Sequence, residues 1–377
     1  MTKAFILSAV NTPFGRLEGR SAQDLMAQAA NEAIAESGVQ RNQIDAVLCG
    51  YATTLPHLML ATLMSEKLGL QPDYAHGVQA GGATGAAMLM LAKMLVNSGQ
   101  YENVLVLAGE NRLTGQSVDT SQQTLAQVGD IDAEVPLGAS IPAYYALLAS
   151  EYMHQTGISS EDLAHFAVLM RKHASQHPDA HFQKPITVAD VLDSRLIASP
   201  LHLFDCCPIS DGATAFVVSR NPGPVRITGA GQAHRHQHIS ALESVFSTGA
   251  KDASHKALAQ AGLTHDEIDY LAIYDSFTIT LVKLLEETGF APQGKAIEQL
   301  QAGRYEADGP TPLNTHGGLL SFGHPGVAGG LAHVVEAFRQ LTGRAGNRQT
   351  PTPRKNAFVH ADGGVLSAHV SLVLQAE

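Results

Sequence analysis

The chain has 377 residues, with 35 acidic against 24 Lys and Arg side chains for a net charge of −11, 45% hydrophobic and 16% charged residues, 3 Cys and no Trp. At about 100–200 residues per domain this length predicts two or three compact units, and a charged fraction below the usual figure of about 25% predicts a large α/β body with oligomer surface to cover. An acidic balance without a block of Lys or Arg excludes nucleic-acid and anionic-membrane binding, residues 4–10 are too short an apolar run for a signal peptide or a membrane span, and the expected location is cytoplasmic.

Residues 4–9 read as the first strand, and Leu25, Met26, Ala29, Ala30 and Ala33 recur at helical spacing behind it. Strands are expected at 46–49, 104–108, 213–218, 225–227, 268–274 and 368–374, several of them apolar on both faces as buried sheets require. Between the third and fourth, residues 111–204 are polar at 114–124 and helical at 143–152 and 160–173.

A duplication underlies this order. Residues 33–45 match residues 257–269 without a gap at an offset of 224, with five identities. Each copy is an Ala-rich helix ending at a Gly suited to the left-handed cap (Gly38, Gly262), a polar turn and an apolar strand. A second echo relates residues 85–99 to 329–343 at an offset of 244, each followed by a strand-like run, 103–108 and 356–360. The expected organisation is a first half of residues 1–110 plus 205–222, an inserted loop or lid domain of residues 111–204, and a second half of residues 223–377.

Two segments carry candidate chemistry. In Gly77-Val-Gln-Ala-Gly-Gly-Ala-Thr-Gly85 a strand enters a Gly-rich turn and then a helix, whose free amides suit a developing negative charge; tight packing of small residues explains the pattern equally well. His324 lies in a loop between Gly323 and Pro325, a position suited to acid–base or hydrogen-bond work. The three Cys (Cys49, Cys206, Cys207) have neither a disulfide framework nor a zinc spacing. His234, His236 and His238 would share one face of a strand, but without a carboxylate or Cys beside them a solvated edge is the better reading, and no metal is expected.

Together, Gly323-His324-Pro325 with Gly330, the small-residue turn near Gly82, Asp211-Gly-Ala-Thr-Ala215, the stretch 190–201 and Asp362-Gly363-Gly364 resemble the thiolase superfamily across essentially the whole chain. The match is closer to the sterol-carrier-protein type and its bacterial thiolase-like relatives, including steroid side-chain aldolases. The resemblance implies an α/β fold of two pseudo-symmetric βαβαβαββ halves in a five-layer α/β/α/β/α body with an inserted loop domain. It also implies acyl-CoA substrates, a tight homodimer and, for many bacterial members, a small OB-fold partner protein, often with a zinc ribbon. No tightly bound cofactor is implied; coenzyme A arrives as part of the substrate. Arg171, Lys172, Lys184 and Arg235 are candidate cations for its phosphates.

The departures shape the expected chemistry. Where thiolases carry a nucleophilic Cys in a Cys-x-Ser-Gly pattern, this chain reads Gly82-Ala-Thr-Gly85; where the sterol-carrier type carries His-Asp-Cys-Phe, it reads Tyr274-Asp-Ser-Phe277; and in place of a C-terminal Cys-x-Gly it reads His360-Ala-Asp362. None of the three Cys falls on a family catalytic position. Thiolysis through an acyl-enzyme needs a nucleophile that Gly82 cannot supply. Retro-aldol cleavage of a 3-hydroxyacyl-CoA needs a base for the hydroxyl and an oxyanion site for the enolate, and no nucleophile. The expectation is a CoA-thioester aldolase. Tyr274 and His324 are its proton-transfer and oxyanion groups, His360 is a candidate second base, and backbone near Gly82, Asp362 and Gly363 forms the oxyanion site. Tyr51 is a weaker candidate for the cleft, and Asp275 is read as ordering local backbone. The alternatives are an acetyl-CoA acetyltransferase-like enzyme working without an acyl-enzyme, or a non-catalytic acyl-CoA-binding subunit of a thiolase-type complex.

Overall fold

The computed structural model describes residues 3–138 and 140–377. The first half runs β1 (Phe5–Asn11), α1 (Ala22–Ser37), β2 (Ala46–Gly50), α2 (Leu60–Leu68), β3 (Tyr74–Val78), α3 (Thr84–Asn97) and β4 (Asn103–Asn111). An excursion follows: α4 (Val118–Ala126), α5 (Ile141–Thr156), α6 (Ser160–Ala174), α7 (Val188–Leu192) and the small hairpin β5 (Leu196–Ala198) and β6 (Leu201–His202). The chain then returns to the sheet in β7 (Asp211–Ser219) and β8 (Val225–His234). The rest is α8 (Ala250–Ala261), β9 (Tyr270–Ile273), α9 (Thr278–Glu287), α10 (Ala296–Gln301), α11 (Gly318–Ser321), α12 (Val327–Leu341), β10 (Asn356–Gly363) and β11 (Ala368–Ala376).

Nine strands form one sheet in the order β3-β2-β4-β7-β1-β8-β11-β10-β9. Its two halves join through a short contact, Phe5 with Arg226 and Ile6 with Val225. Read outward from that junction, β1-β7-β4-β2-β3 mirrors β8-β11-β10-β9, and a parallel bridge from Leu271 to Leu313 stands where the second half lacks its fifth strand. Helices α3 and α12 pack on each other and on strands of both halves, while α1 covers the far side of one half and α8 that of the other. Five layers result.

That layering explains the uniformly apolar strands. In β4, Val104, Val106 and Ala108 face the central helices while Leu105 and Leu107 face α1 and α2, so both faces are covered. The central helices approach closely because Gly85 has no side chain: a Cβ there would lie 2.7 Å from Leu331 Cγ. Of the 15 residues of α12, 14 are buried, as a middle-layer helix must be.

The duplication is visible atom by atom. Helices α1 and α8 both end at a left-handed glycine, Gly38 at φ 72° and Gly262 at φ 70°. A 3-10 turn follows in each, and then Asp45 or Asp269, whose carboxylate accepts from two consecutive amides: Glu102 and Asn103 at 2.6 and 3.0 Å, Lys355 and Asn356 at 2.9 and 3.1 Å. Asn103 and Asn356 each donate back to that turn, to the Gln43 and Glu267 carbonyls.

Three elements depart from expectation. The strand expected at 225–227 continues to His234, its pattern masked by Gly229 and Gly231. Those glycines let α8 lie directly on β8, since a Cβ on either would overlap the α8 backbone at Ala257 or Ala253. The polar stretch 114–124 contains α4, started by Ser117, whose side chain accepts from Thr120 N at 3.1 Å. The strand expected over 268–274 is shorter, Tyr270–Ile273, and leaves Tyr274 just past its end, its N–H still donating to the His360 carbonyl at 2.9 Å.

Candidate active site

Strands β2 and β4 run parallel, as do β9 and β10, and residues at or just beyond their C-terminal ends converge on one apolar-walled cavity of about 250 Å³. Tyr51, Arg112, Tyr274 and Asp362 come from those strand ends, and Gly82 and His324 from the turns before α3 and α12. Loops at the carboxyl ends of parallel strands are where α/β folds place ligands. Helices α4 and α5 close the cavity with Leu125 and Tyr145.

Tyr274 and His324 are in direct contact. The tyrosine hydroxyl lies 3.0 Å from His324 Nε2, with the rings edge to face. Burial, reinforced by Arg112 and His333, pushes the imidazole down to about 3, so it is neutral at pH 7. Its Nδ1 is buried with no hydrogen-bond partner among the described residues. The His324 loop is held by Ser210, whose Oγ accepts from His324 N at 3.2 Å and meets His181 Nδ1 at 2.8 Å. Burial, and then the neighbouring Cys207 and Asp362, push the Tyr274 phenol well above its usual range.

Gly82 is held against this pair. A Cβ at Gly82 would overlap both the Tyr274 hydroxyl and the Asp362 carbonyl oxygen. The turn's own amides are largely used inside it: Ala83 N donates to the Ala80 carbonyl, Thr84 N to the Gly81 carbonyl, and Ala80 N to Thr84 Oγ1. The amides of Ala80, Ala83 and Thr84 are thus engaged within the turn, in the neighbourhood of Gly82 where an oxyanion site was expected. Gly363 packs beneath the turn, where a Cβ would overlap the Ala80 carbonyl.

Asp362 and Tyr145 form a second buried pair. The Tyr145 hydroxyl donates to Asp362 Oδ2 at 2.8 Å, and Asp362 Oδ1 has no partner among the described residues. Burial pushes this carboxyl well above the usual range, favouring its protonated form. In that form the acid has a proton that it can offer to a ligand.

Several expectations need correction. His360 is not in the cavity wall: it lies two residues deeper along β10 than Asp362, with Nδ1 2.8 Å from Ser371 Oγ and Nε2 3.1 Å from His369 Nδ1. None of the four expected phosphate cations reaches the cavity. Arg171 is buried over the rings of Phe182 and Phe204 and donates to Ser321 Oγ; Lys172 pairs with Glu306 at 2.8 Å and Arg235 with Asp252; Lys184 is exposed. The three histidines of 234–238 separate because the strand stops at His234: His236 turns to the Val365 carbonyl and His238 to Asp130. Cys206 and Cys207, which fall on no family catalytic position, line the cavity all the same, with burial pushing the Cys206 thiol up to about 12. Asp275 accepts from Leu319 N at 2.7 Å and sits 3.2 Å from His333 Nε2.

Residues 4–221 match the family model described as thiolase, N-terminal domain, and residues 231–376 match thiolase C-terminal domain-like. The chain belongs to the thiolase family. Among thiolase-family relatives it is 32% identical to a steroid side-chain-cleaving aldolase of Thermomonospora curvata, over 97% of this chain and 96% of that protein. It is 30% identical to an acetyl-CoA acetyltransferase of Methanothermobacter thermautotrophicus, over 98% and 99%. The solved structure of an Ltp2-ChsH2(DUF35) aldolase superposes with a TM-score of 0.85 at 30% identity, covering 100% of this chain and 98% of that one. A thiolase-like cavity thus draws Tyr145 and Arg112 from residues 111–204, which the motif reading did not single out. Tyr145 had a legible signal, lying with Leu148, Ala149 and Tyr152 on one buried face of α5.

Proposed function

We propose that this thiolase-family chain cleaves the C2–C3 bond of a 3-hydroxyacyl-CoA by a retro-aldol reaction without an acyl-enzyme. The observation that carries this reading is the Tyr274 hydroxyl. It fills the space that a side chain at position 82 would need, and it is 3.0 Å from a neutral imidazole acceptor. In the proposed step the 3-hydroxyl proton passes to the Tyr274 oxygen as the Tyr274 proton passes to His324 Nε2. The C2–C3 bond breaks, C3 becomes a carbonyl, and the electron pair moves into the thioester as an enolate. The protonated Asp362 carboxyl, ordered by Tyr145, donates to the enolate oxygen. Return of the proton from His324 through Tyr274 to C2 completes the shorter acyl-CoA. His360 has no part in this scheme.

The test is incubation of the purified chain with a CoA thioester branched at C3, following the ketone or aldehyde released. Positioned acid–base groups contribute about 10²–10⁴-fold, and Tyr274→Phe and His324→Ala should each lose activity in that range. Undiminished product formation in both variants overturns the assignment.

The same reading extends to assembly. The related structure is an aldolase with a DUF35 partner, and here Ile131 and Leu137, 78% and 82% exposed, follow the cavity-lining Leu125 and Val128 in sequence. We place a small OB-fold partner, possessing a zinc ribbon in the family pattern, over that surface. A second copy is placed against β3, which ends the sheet and exposes His76 and Gly77. Sedimentation of the chain alone at a monomer mass would remove the homodimer.

A further inference from the structure

A second, polar cavity of about 510 Å³ lies among α8, the C-terminal end of α9 and the loop around α10. Lys251 and His255, four residues apart on α8 and so on one face, reach it together with Lys283 from α9 and Arg304. Lys283 is the unusual member. It is 2% exposed, and its ammonium lies 4.7 Å from the Phe246 ring centroid and 5.3 Å from that of Tyr152. Among the described residues its ammonium, which faces this cavity, makes no hydrogen bond or ion pair, and Arg304 Nε is buried without a hydrogen-bond partner. A side chain buried this deeply, with its ammonium at the cavity wall, favours a ligand that supplies acceptors there.

The carboxylates in the same wall do not supply them. Both Glu286 oxygens accept from the Tyr152 hydroxyl at 2.8 Å, and one also accepts from Ala296 N. Glu287 caps α8, accepting from the Thr248, Gly249 and Ala250 amides and the Thr248 hydroxyl. In a chain of net charge −11, four basic groups that make no ion pair among the described residues converge on one solvent-connected cavity beside Glu286 and Glu287, whose oxygens are engaged elsewhere, an arrangement suited to an external anion.

We propose that this cavity is a binding site for a phosphoryl group, with Lys283 as its buried charge and Lys251, His255 and Arg304 around it. Basic groups arriving from three directions suit a dianion with several acceptor oxygens better than a single carboxylate. The phosphoryl group has two sources, inorganic phosphate or the phosphorylated end of a nucleotide coenzyme, and the site chemistry is the same for both.

Calorimetric titration of the full chain with inorganic phosphate, adenosine 3′,5′-bisphosphate and coenzyme A tests this without turnover, so its outcome is independent of the carbon–carbon cleavage reading. Saturable phosphate binding is expected, weakened about tenfold or more by Lys283→Met, as loss of a charged hydrogen-bond donor requires. Lys251→Gln, at an exposed position, should weaken it by a smaller factor and keeps the test valid if Lys283→Met does not fold. Equal weakening for the bisphosphate and coenzyme A identifies the coenzyme as the source; weakening for inorganic phosphate alone identifies a free anion. Absence of saturable phosphate binding, or equal affinities in wild type and both variants, overturns the proposal.

Discussion

At the scale of single residues, Gly82 and Tyr274 occupy one volume between them. The hydroxyl sits where the Cβ of any other residue at position 82 would be. Gly82→Ala should therefore destabilise the chain by about 1–3 kcal/mol, the usual cost of overpacking, read as a lowered midpoint in urea. Truncating the opposing ring should relieve the part of that cost set by the hydroxyl, while the Asp362 carbonyl oxygen stays in place. In the double variant Gly82→Ala/Tyr274→Ala the alanine at 82 should cost less, by at least about 0.5 kcal/mol, than it does in the wild-type background, a coupling expected of residues in contact, and the cost that remains is its overlap with the Asp362 carbonyl oxygen. Additive effects would show that the two side chains do not compete for space. The identities Gly82, Tyr274, His324 and Asp362 were all legible as departures from or matches to a family pattern, but their mutual fit was not. Contact across 50 residues between Tyr274 and His324, or 217 between Tyr145 and Asp362, leaves no trace in local spacing. Nor could local spacing place Cys206 and Cys207 in the cavity, because their loop is positioned by long-range pairing, Cys207 N to the Ser276 carbonyl.

At the scale of elements, the repeat at an offset of 224 residues was visible in the sequence because caps and turns are local devices. Gly38 and Gly262 end equivalent helices, and Asp45 and Asp269 then fasten equivalent strand pairs. Each Asp satisfies two strand-start amides, so Asp45→Ala and Asp269→Ala should each cost about 1–3 kcal/mol. The two sites belong to different halves and share no partner, so the double variant should show the sum to within about 0.5 kcal/mol. A much smaller loss would mean water replaces the carboxylates. Elements rich in glycine or polar residues were the ones missed or shortened, β8 and α4, because their neighbours and not their own composition specify them.

At the scale of the whole molecule, buried histidines couple folding to pH. Burial holds His173 and His369 at about 4 and His177 and His324 at about 3, against an ordinary value near 6.5. Each is neutral when folded and takes up a proton on unfolding once the pH is below 6.5. The unfolded state then binds more protons, so stability rises with pH across this window: the contribution is complete above about pH 6.5 and is lost as the pH falls toward 4 and 3. Carboxyls pushed up by burial, such as Asp205 and Asp275, act in the opposite sense, because the folded state holds their protons at pH values where the unfolded chain has released them. A difference between variants separates the two. His177 is 2% exposed and packs on Phe322 with ring centroids 4.6 Å apart, so His177→Phe preserves an aromatic contact while removing the titration. Urea unfolding between pH 4.5 and 6 should show a stability slope shallower in His177→Phe than in wild type by about 1.4 kcal/mol per pH unit, one proton's worth. Parallel slopes would mean that His177 is protonated alike in the folded and unfolded chains, and that burial does not hold this imidazole neutral.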